Sequence, residues 1–369
     1  MAMHNADNER VKRKYLAFLK QAKGQSEQSV DAVAKALARF EADTRYRDFK
    51  AFHFEQAVAF KKHLAEQTSL STGGKLSKAT LHATLAHLKR FFQWLADRPG
   101  YKSLQYSYAE YFNLSEKDTR VATARRERPA PTLEQIRHTI ALMPGQTEIE
   151  RRNRALMAFA LLTGARDSAI ASMKLKHVDL AAGSVFQDAR EVDTKFSKSF
   201  TTYFFPVGSE VRQIFDAWVS YLRQEKLRGN EDPLFPATLV EVGESRQFEA
   251  VGLARRHWST ASPIRTIFQG AFEGAGLPYF NPHSFRNTLV QLGQTLCRDA
   301  EQFKAWSQNM GHDGVLTTFL SYGAVAPRRQ GQIIQALGLG NGQPTGQAEV
   351  VAQAVVQAMR GAGFVSQQG

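Results

Sequence analysis

The stretch LLTGARDSA, residues 161 to 169, reads as a helix that ends and delivers a charged side chain. Leu161 and Leu162 close a Leu- and Ala-rich helical run, IERRNRALMAFALLTG. Gly164 ends it, because glycine adopts the left-handed conformation that releases a helix. Arg166 follows at once and projects into whatever cleft lies there. On its own it serves equally well as a surface charge.

Three further cationic groups stand at comparable places. In NPHSFRNTL, Pro282 and Ser284 mark a helix start, and His283 and Arg286, three apart, share one face. Gly311-His312 comes just past the helical run AEQFKAWSQNM. Lys195 and Lys198 lie in TKFSKS, the predicted turn of a strand pair within AGSVFQDAREVDTKFSKSFTTYFFPV, where apolar and polar residues alternate. Taken singly, each has a plain reading as a surface charge, a capping group or a helix-end histidine.

The fold expected around these groups is mostly α with a small antiparallel β-sheet, in two domains. Residues 1–115 form a helical domain: VKRKYLAFLKQA, VDAVAKALARF and FEQAVAFKKHL carry apolar residues at three-and-four spacing. LSKATLHATLAHLKRFFQWLA is the clearest helix, with Ser77 as N-cap and Leu81, Leu85, Leu88, Phe92 and Leu95 as one apolar stripe. Lys78, His82 and Lys89 fall on another face, available to phosphates or simply solvated. A four-helix bundle with a basic side is the simplest arrangement. Residues 116–131, rich in Arg and Pro, read as a basic linker whose Arg125 and Arg126 can lie along a nucleic-acid backbone. A mixed α+β domain spans 132–340, with helices at LEQIRHTIALM and SEVRQIFDAWVSYLRQ. A flexible tail, 341–369, ends in a short amphipathic helix through Val350, Val351, Val355, Val356 and Met359.

The totals narrow the class. A chain of 369 residues suits two domains, and 43% hydrophobic residues with 25 Phe supply real cores. A net charge of +13 points to a polyanionic partner, with nucleic acid first; +8 of it falls in residues 1–120. The basic N-terminus has no apolar segment behind it, no run approaches a membrane span, and the single Cys297 suits a reducing compartment, so a cytoplasmic (bacterial cytoplasm or nucleoid) location is expected. Cys297 itself lies in an apolar helical run and reads as packing. GGKLS has Ser69 where a phosphate loop needs its first Gly, and GLGNGQ lacks a dinucleotide fingerprint. HExxH, zinc-ligand spacing and GxSxG are missing from the sequence, so no cofactor is expected.

In this order, the four groups resemble the tyrosine recombinases, or phage integrase family. The resemblance covers nearly the whole chain: a helical core-binding domain, a linker and a catalytic domain. T-G-x-R appears with Arg166, the hairpin lysine as Lys195, H-x-x-R as His283 and Arg286, and G-H as Gly311-His312. The Thr317-Thr318 pair then precedes Tyr322, the candidate nucleophile and the only tyrosine after Arg286. There are two departures. Tyr322 comes ten residues after His312, one more than the family commonly has, and Ala169 stands where the family often has Glu. Asp167 is then the candidate to support Arg166.

The resemblance implies DNA strand exchange through a 3′-phosphotyrosine, without metal or ATP, on double-stranded DNA, by a tetramer; the tail helix has three readings, docked on a neighbouring protomer, packed on its own domain, or disordered. Lys198 joins Lys78, His82, Lys89, Arg125 and Arg126 as a candidate DNA contact. Two alternatives stand beside it: a type IB topoisomerase-like enzyme, with the same tyrosine chemistry but acting as a monomer, and a DNA-binding accessory protein that keeps the fold without activity.

Overall fold

The computed structural model describes residues 4–69, 73–124, 129–194, 198–243 and 246–312. The chain divides into two compact units, Met1–Arg126 and Glu127–Gly369.

In the first unit, α1 (Ala6–Gln21), α2 (Glu27–Asp43), α3 (Phe54–Glu66) and α4 (Lys78–Ala96) gather around an aromatic core. The Ser77 hydroxyl caps α4 by accepting from the Thr80 N–H at 3.1 Å. The stripe Leu81, Leu85, Leu88, Phe92 and Leu95 is buried along its length. Phe52 stacks on Phe92 with ring centroids 3.7 Å apart, and Phe40 meets Phe60 and Phe92 edge-on at 5.2 Å. These geometries add to the area the rings bury. Residues Glu116–Thr123, inside the stretch read as a linker, form a fifth helix, α5, capped by Ser115.

The second unit is built around α7 (Glu148–Thr163), whose residues from Ala155 to Thr163 are all buried. α6 (Leu133–Leu142), α9 (Ser209–Ser220), α10 (Ser262–Gly274) and α11 (Ser284–Leu296) contribute to the same core. α9 continues into a π-helical turn, Tyr221–Glu225. The remaining helices are short: α8 (Asp167–Ser172) and α12 (Ala300–Asn309).

The expected strand pair is present as β2 (Ser184–Gln187) and β3 (Phe200–Tyr203), antiparallel, with Val185 opposite Thr202. A two-residue strand, β1 (Val178–Asp179), extends it to an antiparallel sheet in the order β1-β2-β3. A second hairpin, β4 (Thr238–Val242) with β5 (Phe248–Leu253), is an addition to the expected elements. Val240, Val242 and Phe248 share one face of it and the paired Glu241 and Glu249 the other, and all five are exposed. No described helix is long and apolar enough to cross a membrane.

Candidate active site

The end of α7 sets the first element. Gly164 is in the left-handed region at φ 59°, and its N–H closes the helix on the Ala160 carbonyl. A methyl group at Gly164 would lie 3.0 Å from a Leu289 methyl and 3.7 Å from the Arg286 side chain. The glycine therefore serves both the turn and the close approach of α11. Arg166, two residues on, occupies the N-cap of α8.

The second element is the start of α11. His283 is its N-cap and is exposed, while Arg286, one turn in, is 2% exposed. Phe285 anchors this turn on Phe268, with centroids 4.9 Å apart. The Arg286 guanidinium donates to the Gly164 carbonyl through Nη1 and to the Met310 carbonyl through Nη2 at 2.7 Å. Nη2 also lies 3.0 Å from His312 Nε2. A guanidinium has only donors, so this contact is a hydrogen bond when Nε2 accepts, which puts the ring proton of a neutral His312 on Nδ1. His312 is itself buried.

The third element is the turn after α12. Gly311, at φ 72°, reverses the chain; the His312 N–H returns to the Ser307 carbonyl at 3.2 Å. α12 is held to α11 by Trp306, whose indole N–H donates to the Leu289 carbonyl at 3.0 Å and whose ring covers Gly293.

The structure therefore brings together the Gly164–Arg166 turn, Arg286 and His312, with His283 one turn before Arg286. Lys195 and Tyr322 lie outside the described residues, as do Arg125, Arg126 and the tail helix. Lys198, half-buried, is in the segment leading into β3. That hairpin is braced at its first leg: the Ser168 hydroxyl donates to the Asp193 carbonyl at 3.1 Å, and the Asp193 N–H donates to Ser172 Oγ at 2.9 Å. One expectation is corrected. The Asp167 carboxylate pairs with Arg265 of α10, with Arg265 Nη2 at 2.8 Å, rather than with Arg166. The two residues are 98 apart in sequence, so local spacing could not reveal the pairing.

In the first unit, Lys78 pairs with Asp118 at 2.9 Å, and Lys89 pairs with Glu110 at 2.7 Å and reaches Asn113 at 3.1 Å. Glu110 is held below the usual carboxylate range by the Lys89 hydrogen bond. His82 and Lys89 line a groove that also contains Glu116. A second groove lies between α2 and α4, where Lys35 and Arg39 face Thr80, Ala83 and His87 and the lining has no carboxylate. Burial, with Arg90 nearby, pushes the His87 imidazole down. Sequence reasoning passed over Lys35 and Arg39; their four-residue spacing on one face of α2 was the available signal.

Residues 131–329 match the Phage integrase family model. The tyrosine recombinase XerC of Lactobacillus delbrueckii subsp. bulgaricus is 24% identical over 314 residues, covering 84% of this chain and 92% of the relative. That of Stutzerimonas stutzeri is 25% identical over 317 residues, covering 82% and 88%. Among solved structures, a lambda integrase dimer bound to a COC′ core site superposes with a TM-score of 0.58 at 12% identity, over 85% of this chain and 95% of that one. The Tn1549 transposon integrase in complex with transposon right end DNA gives 0.52 at 14% identity, over 89% and 99%. At such identities the superpositions speak for the fold. The family model spans more than half of the sequence, and on that match the chain belongs to the phage integrase family, the tyrosine recombinases.

Proposed function

We propose that this chain is a site-specific DNA recombinase that cuts and rejoins DNA by transesterification, with Tyr322 as the nucleophile. The observation that carries this reading is the buried contact of Arg286 with His312 at 3.0 Å, tied to the Gly164 carbonyl two residues before Arg166. Attack on a phosphodiester builds negative charge on a pentacoordinate phosphorus. Preorganised donors aimed at that charge are the largest help a protein can give. Arg166 supplies permanent charge in forked form to the non-bridging oxygens, Arg286 adds its own permanent charge beside them, and His312 adds a directed N–H.

A tyrosine hydroxyl, with an ordinary pKa of about 10, needs a base or a cationic site to attack at neutral pH. His283, exposed at the head of α11, takes that proton. The tyrosine oxygen forms a bond to phosphorus, the bond to the 5′ oxygen breaks, and Lys195 gives that oxygen its proton. The 3′-phosphotyrosine keeps the energy of the broken bond, so a second 5′-hydroxyl can reverse the attack without any other energy source.

Double-stranded DNA is the partner in this reading, and Lys35 and Arg39 in the α2–α4 groove are its cationic contacts on the first unit. Assembly as a tetramer is supported by the likeness, with a TM-score of 0.55, to a lambda integrase tetramer bound to a Holliday junction.

The test is selection of covalent adducts from a pool of nicked duplexes with a randomised core. Recovery of one recurring sequence, with loss of all adducts in Tyr322→Phe, is the expected result. Adducts that persist in Tyr322→Phe would overturn the nucleophile assignment. Efficient relaxation of supercoiled plasmid lacking that sequence would favour a topoisomerase over a recombinase.

A further inference from the structure

We propose that Asn309 is a positioning residue: its side-chain amide fastens β3 to the turn that carries His312, and so sets His312 against Arg286. The inference rests on the phosphoryl-transfer reading above.

Among the described residues, β3 is the last strand of its sheet and has no strand on its outer edge. Asn309, the final residue of α12, covers that edge. Its Oδ1 accepts from the Tyr203 N–H at 2.7 Å, and its Nδ2 donates to the Tyr203 carbonyl at 2.8 Å. A carboxamide has the donor and acceptor arrangement of a peptide group, so this one side chain makes the pair of bonds a neighbouring strand would make. Next to it, the buried Thr202 hydroxyl donates to the Asn309 carbonyl at 3.1 Å and receives Gln187 Nε2 at 3.1 Å.

The following residues are held in turn. The Met310 carbonyl accepts from Arg286. Gly311 lies so close to the Phe200 ring of β3 that an added methyl would come within 2.5 Å of it. His312 is next. Residues 309 to 311 are therefore each fixed, and the fixing from the sheet side begins at the Asn309 amide. A leucine there would fit a helix end equally well and would offer Tyr203 nothing.

The experiment uses the full chain and a duplex recovered by the adduct selection, in single-turnover cleavage of a nicked substrate. Asn309→Leu is expected to lower the cleavage rate roughly 10- to 100-fold, the scale of a small misplacement of catalytic groups, with duplex affinity unchanged. Asn309→Asp, which keeps the acceptor for the Tyr203 N–H but sets a second oxygen against the Tyr203 carbonyl, should fall between.

A methylphosphonate at the scissile position supplies the readout specific to positioning. With no charge on phosphorus it demands less of Arg286 and His312, so the Leu deficit should shrink several-fold on it, as should that of Arg286→Ala. An equal Asn309→Leu deficit on both substrates would reduce Asn309 to a structural prop and overturn the proposal. Cleavage by Asn309→Leu at the wild-type rate would overturn it as well. If the wild-type chain forms no adduct, the functional reading itself falls and this proposal with it. If it forms one but Arg286→Ala shows no narrowing on methylphosphonate, the role given to Arg286 has failed, and Asn309 cannot act through it.

Discussion

The Arg286 guanidinium donates to the carbonyl of Gly164, a left-handed residue 122 positions earlier in the chain. The end of one buried helix and the start of another are thus joined through the same group that is assigned to the phosphate. Arg286→Lys keeps the charge but has no planar fork to reach Gly164, Met310 and a phosphate oxygen together. Adduct formation should fall at least about 100-fold, the cost of removing one preorganised donor, while bulk duplex affinity stays near wild type. Quantified adduct yield beside a binding isotherm checks this.

Gly164→Ala tests the turn itself. The left-handed conformation costs a non-glycine residue about 1–2 kcal/mol, and the new methyl meets Leu289 at 3.0 Å. For a unit of this size each kcal/mol lowers the melting temperature by about 2–4 °C. A melt that matches wild type would show that α7 and α11 can part slightly at this point.

The two grooves of the first unit make opposite predictions. Lys35→Gln and Arg39→Gln should each reduce the slope of log affinity against log salt by up to about 0.9, the value for one phosphate contact on duplex DNA. Lys89→Gln should leave the slope nearly unchanged, because its ammonium is already engaged by Glu110 and Asn113. Electrophoretic or fluorescence titrations at four or five salt concentrations would separate them, and a reversed order would move the interface to the other groove.

Stability should fall on mild acidification. Burial holds His177 below its usual value of 6.5, and its Nδ1 accepts from the Lys174 N–H at 3.1 Å, a role open only to the deprotonated nitrogen. Burial lowers His87 and His257 likewise. The unfolded chain therefore binds these protons more readily than the folded one. Their contribution is complete above about pH 6.5 and is lost as pH falls through the depressed folded values. Thermal melts between pH 7.5 and 5 should show this decline before carboxylates titrate, and His177→Gln should make it shallower. A flat profile would sink the assignment.

What was legible in the sequence was whatever depends on near neighbours. The α4 stripe and its Ser77 cap follow from three-and-four spacing and one hydroxyl, and both are found. The release of α7 at Gly164 follows from the missing Cβ. What stayed hidden depends on distant partners. Asp167 stands beside Arg166 in the chain, yet its carboxylate meets Arg265. Lys78 and Lys89 look like free cations on a helix face until α5 and the segment before it bring Asp118 and Glu110 to them. β1 has two residues, too few for any period to register. Asn309 reads as an ordinary helix-end polar residue, because only the folded sheet shows that its amide stands in for a strand.

The β4–β5 hairpin bears on how this protein behaves in concentrated solution. Val242 and Phe248 sit directly opposite one another, 65% and 81% exposed, with Val240 beside them. Such a face adheres to its own kind. Mutual repulsion from a net charge of +13 opposes that contact, and it reaches only about 10 Å at 0.1 M salt and about 3 Å at 1 M. The strong brine commonly used to strip nucleic acid from a basic protein would therefore also silence the repulsion that keeps copies of this one dispersed.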